Sequence, residues 1–267
     1  EAMARKNFEQ QKKMNIAIVF SGMMRSFKTT YPGFIKNVVD PLKKDGHHVD
    51  ILMHIWDNKF QYVKFMRDEG DVNEVIDLYK PKYISVEKYT SHTIKRLRED
   101  SNINTYLDYI KSKNYSRRDH DNNDFIGGGP QRDNRISSFY SMEQTKQLVL
   151  KSEQSQGIKY DCIIKTRLDN IIFSPINLSI FSNLKDTVYS SMGYEGDDKH
   201  KDFTINDMFV VGDRDCMLKH LNLYSNLITL LTLRFDNKHP KPFQPVGLTK
   251  HNLLHEGVTN IKRFWLR

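Results

Sequence analysis

The segment Tyr160–Asn170, YDCIIKTRLDN, passes within a few residues from an apolar run (Cys162, Ile163, Ile164) to Arg167, Asp169 and Asn170. A strand buried on both faces needs such a run, and polar groups at its end are delivered to a sheet edge. Arg167 and Asp169 stand two apart, so in an extended chain they project from one face while Thr166 and Leu168 face the other. A cation and an anion offered side by side can grip a charged ligand or simply pair with each other. In the loop SGMMRSF, the glycine of Ser21-Gly22 permits close backbone approach, and Arg25 can fork onto phosphate or hold a carboxylate. The same residues also make an ordinary turn. At the end of VDILMHIW, Trp56 and Asp57 could offer an aromatic plate and a carboxylate to a nucleobase and a ribose. The alternative is a core tryptophan and a capping aspartate. Asn206-Asp207 opens the run NDMFVVG, where Asp207 is either an Asx turn or a second acid.

These groups need strands and helices to position them. Asn15–Phe20 reads as a first buried strand, followed by a helix over Tyr31–Lys44 with Phe34, Val38 and Leu42 at helical spacing. Val49–Trp56 is a second strand with His54 and Trp56 on one face, a helix spans about Val72–Tyr79, and Tyr83–Val86 is a third strand. Residues 90–135 form a charged insertion, mobile and partly helical, whose GGGP lacks the Lys-Ser/Thr ending of a phosphate loop. Ser137–Gln154 reads as a helix with Ser137 or Ser138 as N-cap, feeding the Tyr160–Asn170 strand. Strands at Thr187–Met192 and Asn206–Gly212 follow, separated by a polar loop over Gly193–Lys201. A helix from Asp213 then carries Met217, Leu221, Tyr224, Ile228 and Leu231 on its apolar stripe. Strands separated by helices imply an α/β fold with a largely parallel sheet, whose carboxyl edge is where ligands bind. If the strand after Asp207 runs antiparallel, its start shares that edge with Asp169.

The chain has 267 residues, a formal net charge of +8 and a pI near 9.2. That charge favours a polyanionic partner: nucleic acid, an acidic membrane or a phosphorylated small molecule. Two cysteines, Cys162 and Cys216, are too few for a disulfide framework and are expected as free thiols in a reducing, cytoplasmic setting. No apolar run approaches the roughly 20 residues needed to span a bilayer, so no transmembrane segment is expected. Residues 1–13 read as a tag or polar lead-in and stand outside the fold.

Taken together, SGMMRSF, HIWD, SSFYSMEQT, YDCIIKTRLDN and NDMFVVGDRDCM resemble the GT-A-type glycosyltransferases of large DNA viruses, those of chlorella viruses and mimivirus relatives, with bacterial cousins. The resemblance covers residues 14–217, and its last two motifs are the most specific. It implies a single GT-A-like domain, with a Rossmann-like nucleotide-binding half over 14–170 and an acceptor half over 171–267. It also implies a nucleotide-sugar donor, a glycan or glycoprotein acceptor, and Mn²⁺ or Mg²⁺; for a viral protein, the setting would be the host cytoplasm. Asp169 would stand for the final carboxylate of the family's Asp-x-Asp motif, with Arg167 where the first would be. His251 or His255 could add a metal ligand from the tail. Ser21, Gly22, Trp56 and Asp57 would contact base or ribose, uridine by analogy, and Arg25 and Arg167 would assist at the diphosphate. Asp207 would be the base for an inverting transfer.

Two other classes fit parts of the sequence. A nucleic-acid-binding module would use the charge, the tyrosines and the KRFWLR end, but the positive charge is interleaved with acids and no RNP, KH or zinc-finger signature occurs. No nucleic-acid partner is therefore expected. A catalytically inactive nucleotide-sugar-binding protein would carry RxD in place of a complete acidic motif.

Overall fold

The apolar runs beginning at Asn15, Val49, Tyr83 and Cys162 become strands of one sheet in the computed structural model, which describes residues 13–57, 70–112, 129–176, 179, 183–191, 205, 208–237 and 245–264. The strands are β1 (Asn15–Met23), β2 (His48–Asp57), β3 (Tyr83–Lys88), β4 (Cys162–Thr166), β5 (Thr187–Ser191), β6 (Phe209–Asp213) and β7 (Asn260–Phe264). Their spatial order is β3-β2-β1-β4-β6-β5-β7. β3, β2, β1 and β4 run parallel, β6 is antiparallel to both β4 and β5, and β7 lies parallel to β5. The chain is thus an α/β protein with a mixed, mostly parallel sheet flanked by helices.

Period-two alternation divides the strands between two apolar cores. Ile16, Ile18, Met53 and Ile164 face α1 (Phe27–Phe34), the π-helical turn Ile35–Val39, α2 (Asp40–Lys44) and α3 (Val72–Tyr79). Ala17, Val19, Leu52 and Ile163 face α4 (Ser91–Asp100), α5 (Ile103–Ser112), α6 (Gly129–Gln156), α7 (Arg214–His220), α8 (Leu223–Asp236) and α9 (Pro245–His255). Helix α3 starts on a reciprocal capping box between Asp71 and Glu74. No helix among the described residues is long and apolar enough to cross a membrane.

Several boundaries differ from the sequence reading. β1 continues to Met23 because β2 keeps pairing with it through Met23↔Trp56. Helix α6 begins at Gly129, so Ser137 and Ser138 lie inside it and cap nothing. The stripe expected as one helix after Asp213 is broken at Leu221-Asn222, where Asn252 of α9 donates to the terminal carbonyls of Lys219 and His220 at 2.8 and 3.4 Å. Strand β7, in the basic tail, was not expected. The segment 113–128 of the insertion and the polar loop Gly193–Lys201 lie outside the described residues.

Candidate functional site

The ladder between β1 and β4 ends at Phe20↔Thr166, whereas β1 runs three residues further along β2. Ser21–Met23 therefore pair on one side only, and the two central strands part at their carboxyl ends. β2 and β3 lie to one side of β1 and the later strands lie beyond β4, so this is the topological switch point where open α/β sheets bind ligands. A cavity of about 190 Å³ opens there. Ser21, Gly22, Met23 and Arg25 line it from β1 and its loop, Arg167 and Asp169 from the turn after β4, and Trp56 from β2. Asn134, Arg135, Ser137, Ser138 and Phe139 of α6 form its remaining wall.

Gly22 has φ +117, and a Cβ built there meets nothing within 4 Å, so the strand end presents bare backbone to open space. Arg25 adopts φ 44, a left-handed conformation costing a non-glycine residue roughly 1 kcal/mol. Its guanidinium Nη1 donates to Asp169 Oδ2 at 2.6 Å. Arg167 grips the same carboxylate with Nε to Oδ1 at 2.8 Å and Nη2 to Oδ2 at 2.7 Å. The side-chain exposures are 30% for Arg25, 29% for Arg167 and 15% for Asp169, so the cations reach solvent further than the anion between them. Burial pushes the Asp169 carboxyl upward, but hydrogen bonding and charge from Arg167 and Arg25 outweigh it and hold the group below the ordinary aspartate range. Among the described lining residues there are three guanidiniums and one carboxylate, a net excess of two positive charges.

The turn carrying Asp169 is fixed from both sides. Thr30 Oγ1 donates to the Leu168 carbonyl. Asn170 Nδ2 reaches Thr166 Oγ1 at 3.3 Å and the Met208 carbonyl at 3.4 Å. Because β6 is antiparallel to β4 and pairs Phe209 with Thr166, the start of β6 shares a sheet edge with Asp169. That is the condition under which Asp207 was expected to reach the site; Asp207 itself lies outside the described residues.

Trp56 forms a wall and not an exposed plate. It is 1% exposed and packs against His54, Tyr89 and Tyr140, with ring centroids at 5.1, 5.5 and 5.8 Å. Its Nε1 is buried with no hydrogen-bond partner among the described residues. Asp57 is outside the cavity lining, and its carbonyl accepts from Tyr89 N at 3.1 Å. His251 and His255, in the last turns of α9, do not line the cavity either.

The sequence reading missed the contribution of α6, whose cavity-lining residues lie in or next to the polar stretch assigned to the insertion. It also passed over Lys165, 1% exposed on β4 and one alternation below Arg167. A buried lysine is rare in a strand interior.

As a centre for Mn²⁺ or Mg²⁺, the described donor set does not fit. Of the roughly four lone-pair positions on a carboxylate, guanidinium N–H groups occupy three on Asp169. A dication would have to displace them or sit against them. No group of three or more His, Cys, Asp or Glu side chains arranged to hold a metal ion occurs among the described residues.

No protein-family model matches this chain, and no curated protein matches it. The fold is α/β, with a cavity lined by three arginines and one aspartate at the switch point of its sheet.

Proposed function

We propose that the protein is a glycosyltransferase, moving a sugar from a nucleotide-diphosphate donor, with a UDP-sugar as the first to test, to a hydroxyl of a glycan or glycoprotein. The observation that carries this reading is the cationic cavity where β1 and β4 part, with bare backbone at Gly22 and the Arg25–Asp169–Arg167 group on its walls. Sugar transfer leaves a diphosphate on which negative charge grows, so fixed cations beside it lower the barrier. The glycine edge lets a phosphate or ribose approach the main chain, and the Trp56 indole N–H is a buried donor that a ligand can satisfy. In an inverting transfer a carboxylate must take the proton of the acceptor hydroxyl. Asp207 is the residue proposed for that role.

The test is release of UDP from UDP-glucose, UDP-galactose and UDP-xylose, with and without Mn²⁺ and in the presence of mixed glycan acceptors. Turnover of one donor, lost in Asp207→Asn while donor binding persists, supports the reading. Donor binding without turnover under any condition would instead make the protein a nucleotide-sugar-binding module. Retention on oligonucleotides with no response to any nucleotide sugar would remove both.

A further inference from the structure

We infer that Asn170 is a positioning residue for the transfer step: its side-chain amide ties the chain entering β6, at Met208, to the turn that carries Asp169. This deepens the transferase reading and rests on it. The β4–β6 ladder ends at Thr166↔Phe209, so Met208 lies one residue past the last pair, and Asp207 precedes it in the chain. There Asn170 Nδ2 continues the connection, donating to Thr166 Oγ1 at 3.3 Å and to the Met208 carbonyl at 3.4 Å. A primary amide nitrogen carries two hydrogens, enough for one to each strand. Each bond is longer than the usual range of about 2.7–3.2 Å, so each is weak alone and the bridge depends on both.

Asn170 also closes the turn, its backbone N–H donating to the Arg167 carbonyl at 3.3 Å across Leu168-Asp169. Thr30 Oγ1 holds the Leu168 carbonyl, and Asn37 Nδ2 holds the Ile172 carbonyl. The Asp169 turn therefore keeps these three ties when the Asn170 side chain is removed, whereas the entry to β6 loses its link to that turn. Donor binding, which needs the turn, should persist. The chemistry, which needs the base set at a fixed distance from the donor, should not. The two acceptors differ in kind. Thr166, 1% exposed, offers a hydroxyl that can donate as well as accept, but the Met208 carbonyl only accepts. Asn170→Asp keeps the side-chain shape and can take a proton from Thr166, yet it sets a carboxylate oxygen against the Met208 carbonyl with no hydrogen between them.

The experiment is steady-state release of UDP from UDP-glucose, UDP-galactose and UDP-xylose by the full chain with mixed glycan acceptors, alongside calorimetric titration with UDP. Asn170→Ala and Asn170→Asp should each lower kcat by at least about tenfold, the scale of a displaced catalytic group, with UDP affinity within about threefold of the parent. Thr166→Val removes the β4 contact alone and should lower kcat less than either. Asp207→Asn should cost much less in the Asn170→Ala background than in the parent, because a misplaced base has little left to lose. General damage to the fold would instead lower UDP affinity in step with kcat and leave the two substitutions additive. Circular dichroism melts identify a variant that does not fold, and the isosteric Asn170→Asp keeps the test open where Asn170→Ala does not. An active parent whose Asn170 variants keep kcat within about twofold, or show that general damage, overturns the inference and leaves the transferase reading standing. A parent that releases UDP from none of the three donors overturns both.

Discussion

Asn37 and Ile172 join the helical layer to the chain that follows Asp169: Asn37 Nδ2 donates to the Ile172 carbonyl at 2.6 Å. The Asn37 carbonyl in turn accepts from Ile176 N at 2.7 Å. Asn37 lies in the π-helical turn Ile35–Val39, a local widening of the helix that often marks functional positions. At Gly33, one turn earlier, the Ile172 carbonyl would stand 3.0 Å from any Cβ, so the loop and helix approach at backbone distance. Asn37→Ala leaves the Ile172 carbonyl without its side-chain donor, and such a loss costs about 1–3 kcal/mol. Urea denaturation should show a midpoint shift of that size with an unchanged slope, and nucleotide binding should weaken because the turn at Asp169 loses one of its supports. Unchanged stability in Asn37→Ala would mean this tie holds nothing.

Gly22 and Gly157 permit a paired test. Both have positive φ, +117 and +66, and a Cβ at either meets nothing within 4 Å. Alanine at either site therefore acts through backbone strain, about 1 kcal/mol or more. Only Gly22 lines the cavity. Gly22→Ala should lower both the melting temperature and ligand affinity, whereas Gly157→Ala should lower the melting temperature alone. Equal ligand affinity in the two variants would remove the Gly22 backbone from the binding surface.

The strand cores were legible in the sequence because burial on both faces leaves a dense apolar run, as in Cys162–Ile164 on β4. Strand direction was not: the antiparallel placement of β6 is set by pairing between Ile164 and Val211, far apart in the chain. The start of α6 was hidden because its first turns are polar, and the bidentate pair Arg98–Asp133, at 2.7 and 2.6 Å, ties that polar stretch to α4. At the site, the two-residue spacing foretold that Arg167 and Asp169 would be neighbours. The arrival of Arg25 on the same carboxylate depends on a left-handed residue 144 positions away, which no local pattern announces.

Cys162 and Cys216 are free and buried. Burial pushes the Cys162 thiol well up and, with the nearby Asp213, pushes Cys216 up to about 12. Thiolate is the reactive form, so neither residue should react with a thiol reagent at pH 8 in the native protein. Unfolding in urea should release both thiols together. Stoichiometric labelling of Cys216 without urea would show that α7 opens locally.

His54 lies fully buried between Ser141 Oγ, 2.7 Å from Nδ1, and Glu87 Oε1, 3.1 Å from Nε2. The order Ser-His-Glu imitates a hydrolase relay, but Ser141 has no exposed surface to offer a substrate, so the group acts as a strut from β2 to α6 and β3. Hydrogen bonding to His54 is the largest influence on Glu87. With Arg96 and Tyr140, and against the opposing effect of burial, it holds the carboxyl at about 2 instead of 4.5. Because the folded value lies below the unfolded one, the contribution is complete above about pH 4.5 and is lost as pH falls towards 2. Glu87→Gln should therefore be less stable than the parent at pH 7, by about 1–2 kcal/mol for a partly exposed, charge-assisted group. The gap should narrow between pH 4.5 and 2, since the parent alone protonates at this position. Stability curves that stay parallel down to pH 2 would show that Glu87 does not carry this acid sensitivity.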